Sequence, residues 1–77
     1  MTLSCEQCVD IVALAIEIQK EITSQFYGQE ISSTVENSSA SISYRVDDEG
    51  DVFITRVFVQ NQESKKLANL LTDYFNE

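Results

Sequence analysis

The chain contains no histidine, proline or tryptophan, and it has only two glycines and two cysteines in 77 residues. Without histidine, neither a Ser-His-Asp triad nor a zinc site with imidazole ligands can form. No glycine-rich loop of the kind that binds phosphate groups is present. Two cysteines are too few for the multi-bridge framework of a small secreted scaffold. These absences argue against an enzyme and against a bound cofactor.

The two cysteines, Cys5 and Cys8, form a CxxC pair in the first turn of an expected helix, where free backbone N–H groups favour a thiolate. A thioredoxin-like site needs a strand before this motif, and the preceding residues are too few to form one. A tetrahedral zinc site would require a dimer that pooled two such pairs. We therefore expect Cys8 to be a core residue and Cys5 to be incidental, with a metal or redox role as the less favoured alternative.

Positive charge is also scarce, since 13 acidic residues face 5 basic ones and the net charge is −8. This balance argues against direct binding to nucleic acid or anionic lipid, and it favours a basic protein partner. The apolar stretch from Val9 to Ile18 is interrupted by Asp10 and Glu17, and no basic signal region precedes it. We expect a cytoplasmic protein without a membrane span.

The hydrophobic pattern predicts one domain, 1–77, that begins with a long amphipathic helix. Ser4 and Gln7 have the spacing of a capping box, which places the helix start near Cys5, and Gly28 follows its end. The expected core stripe is Cys8, Ile11, Ala15, Ile18, Ile22 and Phe26. An acidic ridge, Glu6, Asp10, Glu17 and Glu21, lies on the opposite side. Val9, Val12, Ile16 and Tyr27 form an apolar flank between them.

Three strands are expected next. Ile31, Ser33 and Val35 indicate a weak edge strand, and the strict alternation from Ala40 to Val46 indicates a strong one. A four-residue loop, 47–50, would then form a hairpin that sets Tyr44 opposite Phe53. In this register the core face of the third strand is Phe53, Thr55, Val57 and Val59, and the outward face is Val52, Ile54 and Phe58 flanking Arg56.

A second helix completes the chain. Asn61 is its expected N-cap, with Glu63 in the first turn. Leu67, Leu70, Leu71 and Tyr74 follow at helical spacing. The predicted fold is α+β with the order αβββα, a small three-stranded antiparallel sheet with both helices packed on one face.

The candidate functional residues are carboxylates, because carboxylates outnumber cations in every region where they cluster. We selected Asp47, Asp48, Glu49 and Asp51 at the hairpin, supported by Glu17 and Glu21 on the first helix. Solvated turn and surface carboxylates are the simpler interpretation of each cluster taken alone. Together they cause self-repulsion in the free protein, which a basic surface of a partner would relieve.

The run from Ser43 to Asp51, with the later helix ending in residues 70–75, resembles the hairpin-plus-helix half of small acidic phage anti-CRISPR proteins of the αβββα kind. With residues 13–15 and Phe26, the same half is similar to DinI-like modulators of RecA, whose leading strand is not found here. The similarity covers roughly half the chain and depends on hydrophobic pattern and turn chemistry. It implies an acidic protein that occupies or controls a site meant for nucleic acid.

The leading hypothesis is therefore a non-enzymatic inhibitor or modulator that presents carboxylates to a basic, nucleic-acid-handling protein, with a CRISPR effector as one example. The alternative is a homodimeric structural or adaptor module. Its interface would be the outward sheet residues Val52, Ile54, Arg56 and Phe58, or the helix flank with Val9, Val12 and Ile16.

Overall fold

The computed structural model describes residues 5–77, with side chains described for residues 11–77. Its elements are α1 (Cys5–Gln25), β1 (Ile31–Glu36), β2 (Ala40–Val46), β3 (Val52–Val59), β4 (Gln62–Glu63) and α2 (Lys65–Phe75). The strands form one antiparallel sheet in the order β1-β2-β3-β4. The α+β class is confirmed, but the sheet has four strands and the order is αββββα.

Both helices contribute to a single hydrophobic core with one face of the sheet. Alternation along β2 places Ala40, Ile42, Tyr44 and Val46 in this core, while the serines between them face the other way. The buried core residues are Ile11, Leu14, Ile18, Val35, Ala40, Ile42, Tyr44, Val46, Val52, Ile54, Val57, Leu67, Ala68 and Leu71.

The predicted stripe on α1 is largely confirmed. Ile11 and Ile18 are buried, and Leu14, which lies between them at helical spacing and was not predicted, is 5% exposed. The partly buried members are Ala15, Ile22 and Phe26. The expected contributions of Cys8, Val9 and the Ser4 capping box lie outside the described side chains.

The turn between β1 and β2 forms at Asn37, Ser38 and Ser39. The Asn37 side-chain oxygen accepts hydrogen bonds from the backbone N–H of Ser39 at 3.0 Å and of Ala40 at 2.8 Å. This local bonding pattern is the reason asparagine favours turns. The turn fixes the register of the two strands, with Val35 opposite Ile42.

The predicted register of the β2–β3 hairpin is wrong. The loop has five residues, 47–51, so Val46 pairs with Val52 and Tyr44 pairs with Ile54. Val52 and Ile54 are consequently buried in the core, and neither belongs to an outward interface. A register shift opposite Ser43 and Tyr44 of β2 then changes which residues of β3 face the core.

This shift explains which members of the predicted core face are correct. Phe53, on the hairpin side of the irregularity, is exposed rather than buried, and so is Thr55, the extra residue of β3 at the irregularity itself. Beyond it, Val57 is fully buried and Val59 packs against the core, as predicted. Phe58 is half-buried opposite Ser41, and Arg56 is exposed.

The predicted N-cap of the second helix is also wrong. Gln60 and Asn61 have φ values of 52° and 66°, a pair of left-handed residues that reverses the chain tightly. The chain then pairs back on β3, which places Glu63 in β4 opposite Phe58. Ser64 is the cap instead, and its hydroxyl accepts a hydrogen bond from the backbone N–H of Leu67 at 3.2 Å.

Side chains of α2 complete the hydrogen bonding of the outer edge of β3. The Asn76 amide accepts from the N–H of Val52 at 2.9 Å and donates to the carbonyl of Val52. The Thr72 hydroxyl accepts from the N–H of Ile54 at 3.0 Å. These bonds fix the C-terminal end of α2 beside the start of β3 and leave few free backbone groups on that edge.

Candidate functional site

The hairpin loop 47–51 is held by one of the carboxylates selected from the sequence. The side-chain oxygen of Asp47 accepts hydrogen bonds from the backbone N–H of Glu49 at 3.0 Å and of Asp51 at 2.9 Å. Gly50 has φ +90°, a left-handed conformation that costs glycine little. Asp47 therefore shapes the loop, while Asp48, Glu49 and Asp51 are exposed and project from it.

Both helices end near this loop. The Phe26 ring, just after α1, lies 3.8 Å from the position that a Cβ on Gly50 would occupy. At the end of α2, the Asn76 side chain bonds to Val52, the first residue after the loop. Neither helix has a basic residue in its last turn. Each helix C-terminus carries about half a negative charge, so the two add to the field of the loop carboxylates.

We name this region, with its exposed carboxylates Asp48, Glu49 and Asp51, the acidic end. Within residues 11–77 there is one ion pair, between Arg45 and Glu30 at 3.2 Å. Arg45 also lies 4.8 Å from the centroid of the Phe53 ring. The carboxylates of the acidic end are thus not neutralised by a cation within the part of the chain whose side chains are described. Their negative potential is available to a partner.

Glu17 and Glu21 lie elsewhere, in a cleft between α1 and β1. This acidic cleft has a volume of about 390 Å³, and Glu36 at the end of β1 lies at its border. Glu36 was not among the predicted site residues, and it shares the strand phase of Thr34, whose side chain contacts Ser43 on the face of the sheet away from α1. The remaining ridge residues, Glu6 and Asp10, lie outside the described side chains.

The Tyr44 side chain connects Glu21 to the core. Its hydroxyl donates a hydrogen bond to a carboxylate oxygen of Glu21. Burial, and then the bond to Glu21 and its charge, raise the pKa of Tyr44 from 10.0 to about 12. The bond fixes the Glu21 carboxylate at the inner wall of the acidic cleft.

An apolar groove separates the two helices. This helix groove has a volume of about 450 Å³. Its walls carry four large side chains that remain substantially exposed: Val12 (56%), Ile16 (51%), Leu70 (48%) and Tyr74 (63%). Val12 and Ile16 belong to the apolar flank that the sequence indicated. Leu70 and Tyr74 belong to the predicted helical spacing of α2, and they make its apolar arc wider than one sheet contact requires.

Comparisons of the chain with protein-family models, with curated proteins and with solved structures give no match. No helix in the described part of the chain is both long and apolar enough to cross a membrane.

The structure brings some predicted site residues together and separates others. The hairpin carboxylates are adjacent, and Glu17 and Glu21 share the acidic cleft. Of the predicted sheet interface, Val52 and Ile54 are buried, which leaves only Phe58 and Arg56 at the surface. Cys5 and Cys8 fall where side chains are not described, and residues 11–77 contain no cluster suited to a metal ion.

Proposed function

We propose that this domain is a non-enzymatic, protein-binding inhibitor or modulator that presents carboxylates to a basic, nucleic-acid-binding surface of a partner. The observation that carries the proposal is the acidic end, where Asp48, Glu49 and Asp51 project beside the C-terminal ends of both helices. A lysine- and arginine-lined cleft built for phosphates would complement this field and accelerate association.

The identity of the partner is part of the proposal. The resemblance of the hairpin and α2 to small acidic anti-CRISPR proteins suggests a CRISPR effector, and the resemblance to DinI-like modulators suggests a recombinase. Both are proteins that hold nucleic acid through cationic surfaces. The shared expectation is competition, since the domain and the nucleic acid would use the same cationic residues.

Affinity capture tests this function. The immobilised domain should retain a nucleic-acid-binding protein at low salt. Added salt should release it by screening the charges, and added duplex DNA should release it by competing for the cationic surface. The variant Asp48→Asn/Glu49→Gln/Asp51→Asn should retain much less of the same protein. A control, Glu36→Gln/Glu63→Gln, removes two charges from other parts of the surface, and the losses are compared per charge removed. Capture that is unchanged by the first variant contradicts the proposal.

A second candidate function, a homodimeric structural module, is favoured by the helix groove. Its four exposed apolar side chains resemble the centre of a protein interface more than ordinary surface. Sedimentation at low micromolar concentration should then detect a dimer that Ile16→Ser/Leu70→Ser abolishes. Tyr27→Ser is the control, because Tyr27 is 86% exposed and does not line the groove. A strict monomer removes this candidate.

A further inference from the structure

The two edges of the sheet differ in how their backbone groups are hydrogen-bonded. On the edge of β3, Thr72 and Asn76 satisfy backbone groups at Val52 and Ile54, and β4 pairs with Phe58 and Val59. At the other edge, no strand among residues 5–77 pairs with the outer side of β1. An unpaired edge is a template for an additional strand.

The groups that this edge offers follow from the bonding of the β1–β2 turn. The N–H of Asn37 donates to the carbonyl of Ala40 at 2.9 Å, so these opposed residues form a hydrogen-bonded pair. Bonded and non-bonded pairs alternate along an antiparallel ladder. Ser32, Thr34 and Glu36 therefore direct their backbone N–H and C=O groups outward, away from β2.

The acidic cleft lies directly beside these outward groups. Thr34, Val35 and Glu36 form its strand wall, and Glu17 and Glu21 form its helix wall. A strand added to β1 would direct every second side chain toward α1, into this cleft. Residues 11–77 place no ion-paired cation on Glu17 or Glu21. The cleft would therefore attract lysine or arginine at alternate positions.

We propose that β1 and the acidic cleft together bind an extended segment of a partner protein that carries lysine or arginine at alternate positions, by adding it to the sheet as a further strand. Backbone hydrogen bonds from Ser32, Thr34 and Glu36 supply affinity, and Glu17 and Glu21 supply selectivity. A second copy of this chain is a poorer occupant, because pairing two β1 edges would bring the carboxylates of both copies together.

This inference rests on the proposed function in one respect, because both expect a partner with basic residues. It uses a surface other than the acidic end, so the two proposals can fail separately. The probe is a short capped peptide of alternating lysine and threonine, and its binding is followed by NMR shifts of the β1 amides at ~0.1 M salt.

The decisive variants are at Thr34, whose N–H faces outward. Thr34→Pro removes that donor, and proline is tolerated at an edge position that makes no bond within the sheet. Thr34→Val keeps the donor and removes only the hydroxyl contact with Ser43, which measures 3.0 Å. We expect Thr34→Pro to weaken binding about tenfold, the loss typical of one hydrogen bond, and Thr34→Val to leave it nearly unchanged.

Peptide variants keep the test valid if Thr34→Pro fails to fold. Two peptides are compared, one methylated on the backbone nitrogen of every lysine and the other on that of every threonine. Because strand N–H groups alternate in direction, one peptide loses every N–H that faces β1 and should not bind, and the other keeps these groups and should bind. Glu17→Gln/Glu21→Gln should weaken binding, and neutralising the acidic end should not. Equal loss for both methylated sets, no binding by the wild type, or a loss caused only by the acidic-end variant would each overturn the inference.

Discussion

Neutralising the acidic end should make the free domain more stable, and it should weaken the proposed complex with a basic partner. The variant Asp48→Asn/Glu49→Gln/Asp51→Asn leaves the core intact, because all three side chains are exposed. It also leaves the Asp47 side chain in place, so the hydrogen bonds that shape the loop remain. The change is therefore almost purely electrostatic.

The magnitude follows from the placement of the charges. Two unit charges roughly 8 Å apart in water repel by roughly 0.5 kcal/mol, and three neighbouring carboxylates make three such pairs. A carboxylate near a helix C-terminus adds roughly 0.3 to 1 kcal/mol of unfavourable energy at low salt. Part of this repulsion persists in the unfolded chain and part is screened. We expect a net gain of about 1 kcal/mol, which raises Tm by about 4 to 8 °C in a domain of this size.

Urea and thermal unfolding followed by circular dichroism measure this gain. It should shrink as salt rises toward ~1 M, since screening removes the repulsion that the substitutions relieve. The control variant Glu36→Gln/Glu63→Gln should gain less per charge removed, because its carboxylates lie apart from the acidic end. A triple acidic-end variant that is no more stable than the wild type at low salt would refute the idea that repulsion is concentrated there.

Three further predictions concern the contacts that hold this geometry. Asn76→Ala should cost about 1 to 3 kcal/mol in urea unfolding, because it leaves backbone groups of Val52 without partners; an unchanged midpoint would contradict this. Raising pH from 10 to about 12 should reduce stability by up to about 2 kcal/mol, since Tyr44 ionises in the unfolded chain before it does so in the fold. That pH dependence should be weaker in Tyr44→Phe, and an identical profile would exclude Tyr44 as its source. Gly50→Ala should destabilise the hairpin by about 1 kcal/mol, because φ is +90° there, and a neutral effect would be inconsistent with that conformation.

Elements with one clearly apolar face could be predicted from the sequence. The alternation from Ala40 to Val46 identified β2 and its core face, because only one face of that strand is apolar. β3 is apolar on both faces near the hairpin, so periodicity could not choose between Val52 and Phe53. The loop length decided this choice, and the register shift decided which residues of β3 face the core beyond it; a one-residue change in either exchanges the two faces.

The second helix shows a similar limit. Asparagine is a favourable N-cap residue, so Asn61 was a reasonable prediction. The pairing of β4 with β3 shows that Asn61 belongs to the turn between these strands. Ser64 was the correct cap, three residues before Leu67 in sequence and joined to it by a hydrogen bond. Competition between two plausible caps is settled by tertiary structure rather than by propensity.

The candidate site was predictable in composition but not in arrangement. Asp48, Glu49 and Asp51 could be selected from the sequence because they crowd one loop. Aspartate side chains commonly accept hydrogen bonds from the backbone of their own turn, so the structural role of Asp47 could have been inferred from the sequence. The convergence of two helix ends on the hairpin, and the packing of β1 beside Glu17, arise from topology and have no local sequence signal.

The near-surface potential of the free domain can be measured directly with paramagnetic cosolutes. Amide relaxation caused by a cationic nitroxide, divided by that caused by a neutral one of equal size, reports local cation excess residue by residue. The ratio should be highest at residues 48–51 and near Phe26 and Asn76, and lowest around Lys65 at the start of α2. A ratio that is uniform over the surface would show that negative potential is not concentrated at the acidic end, and it would remove the basis of the proposed function.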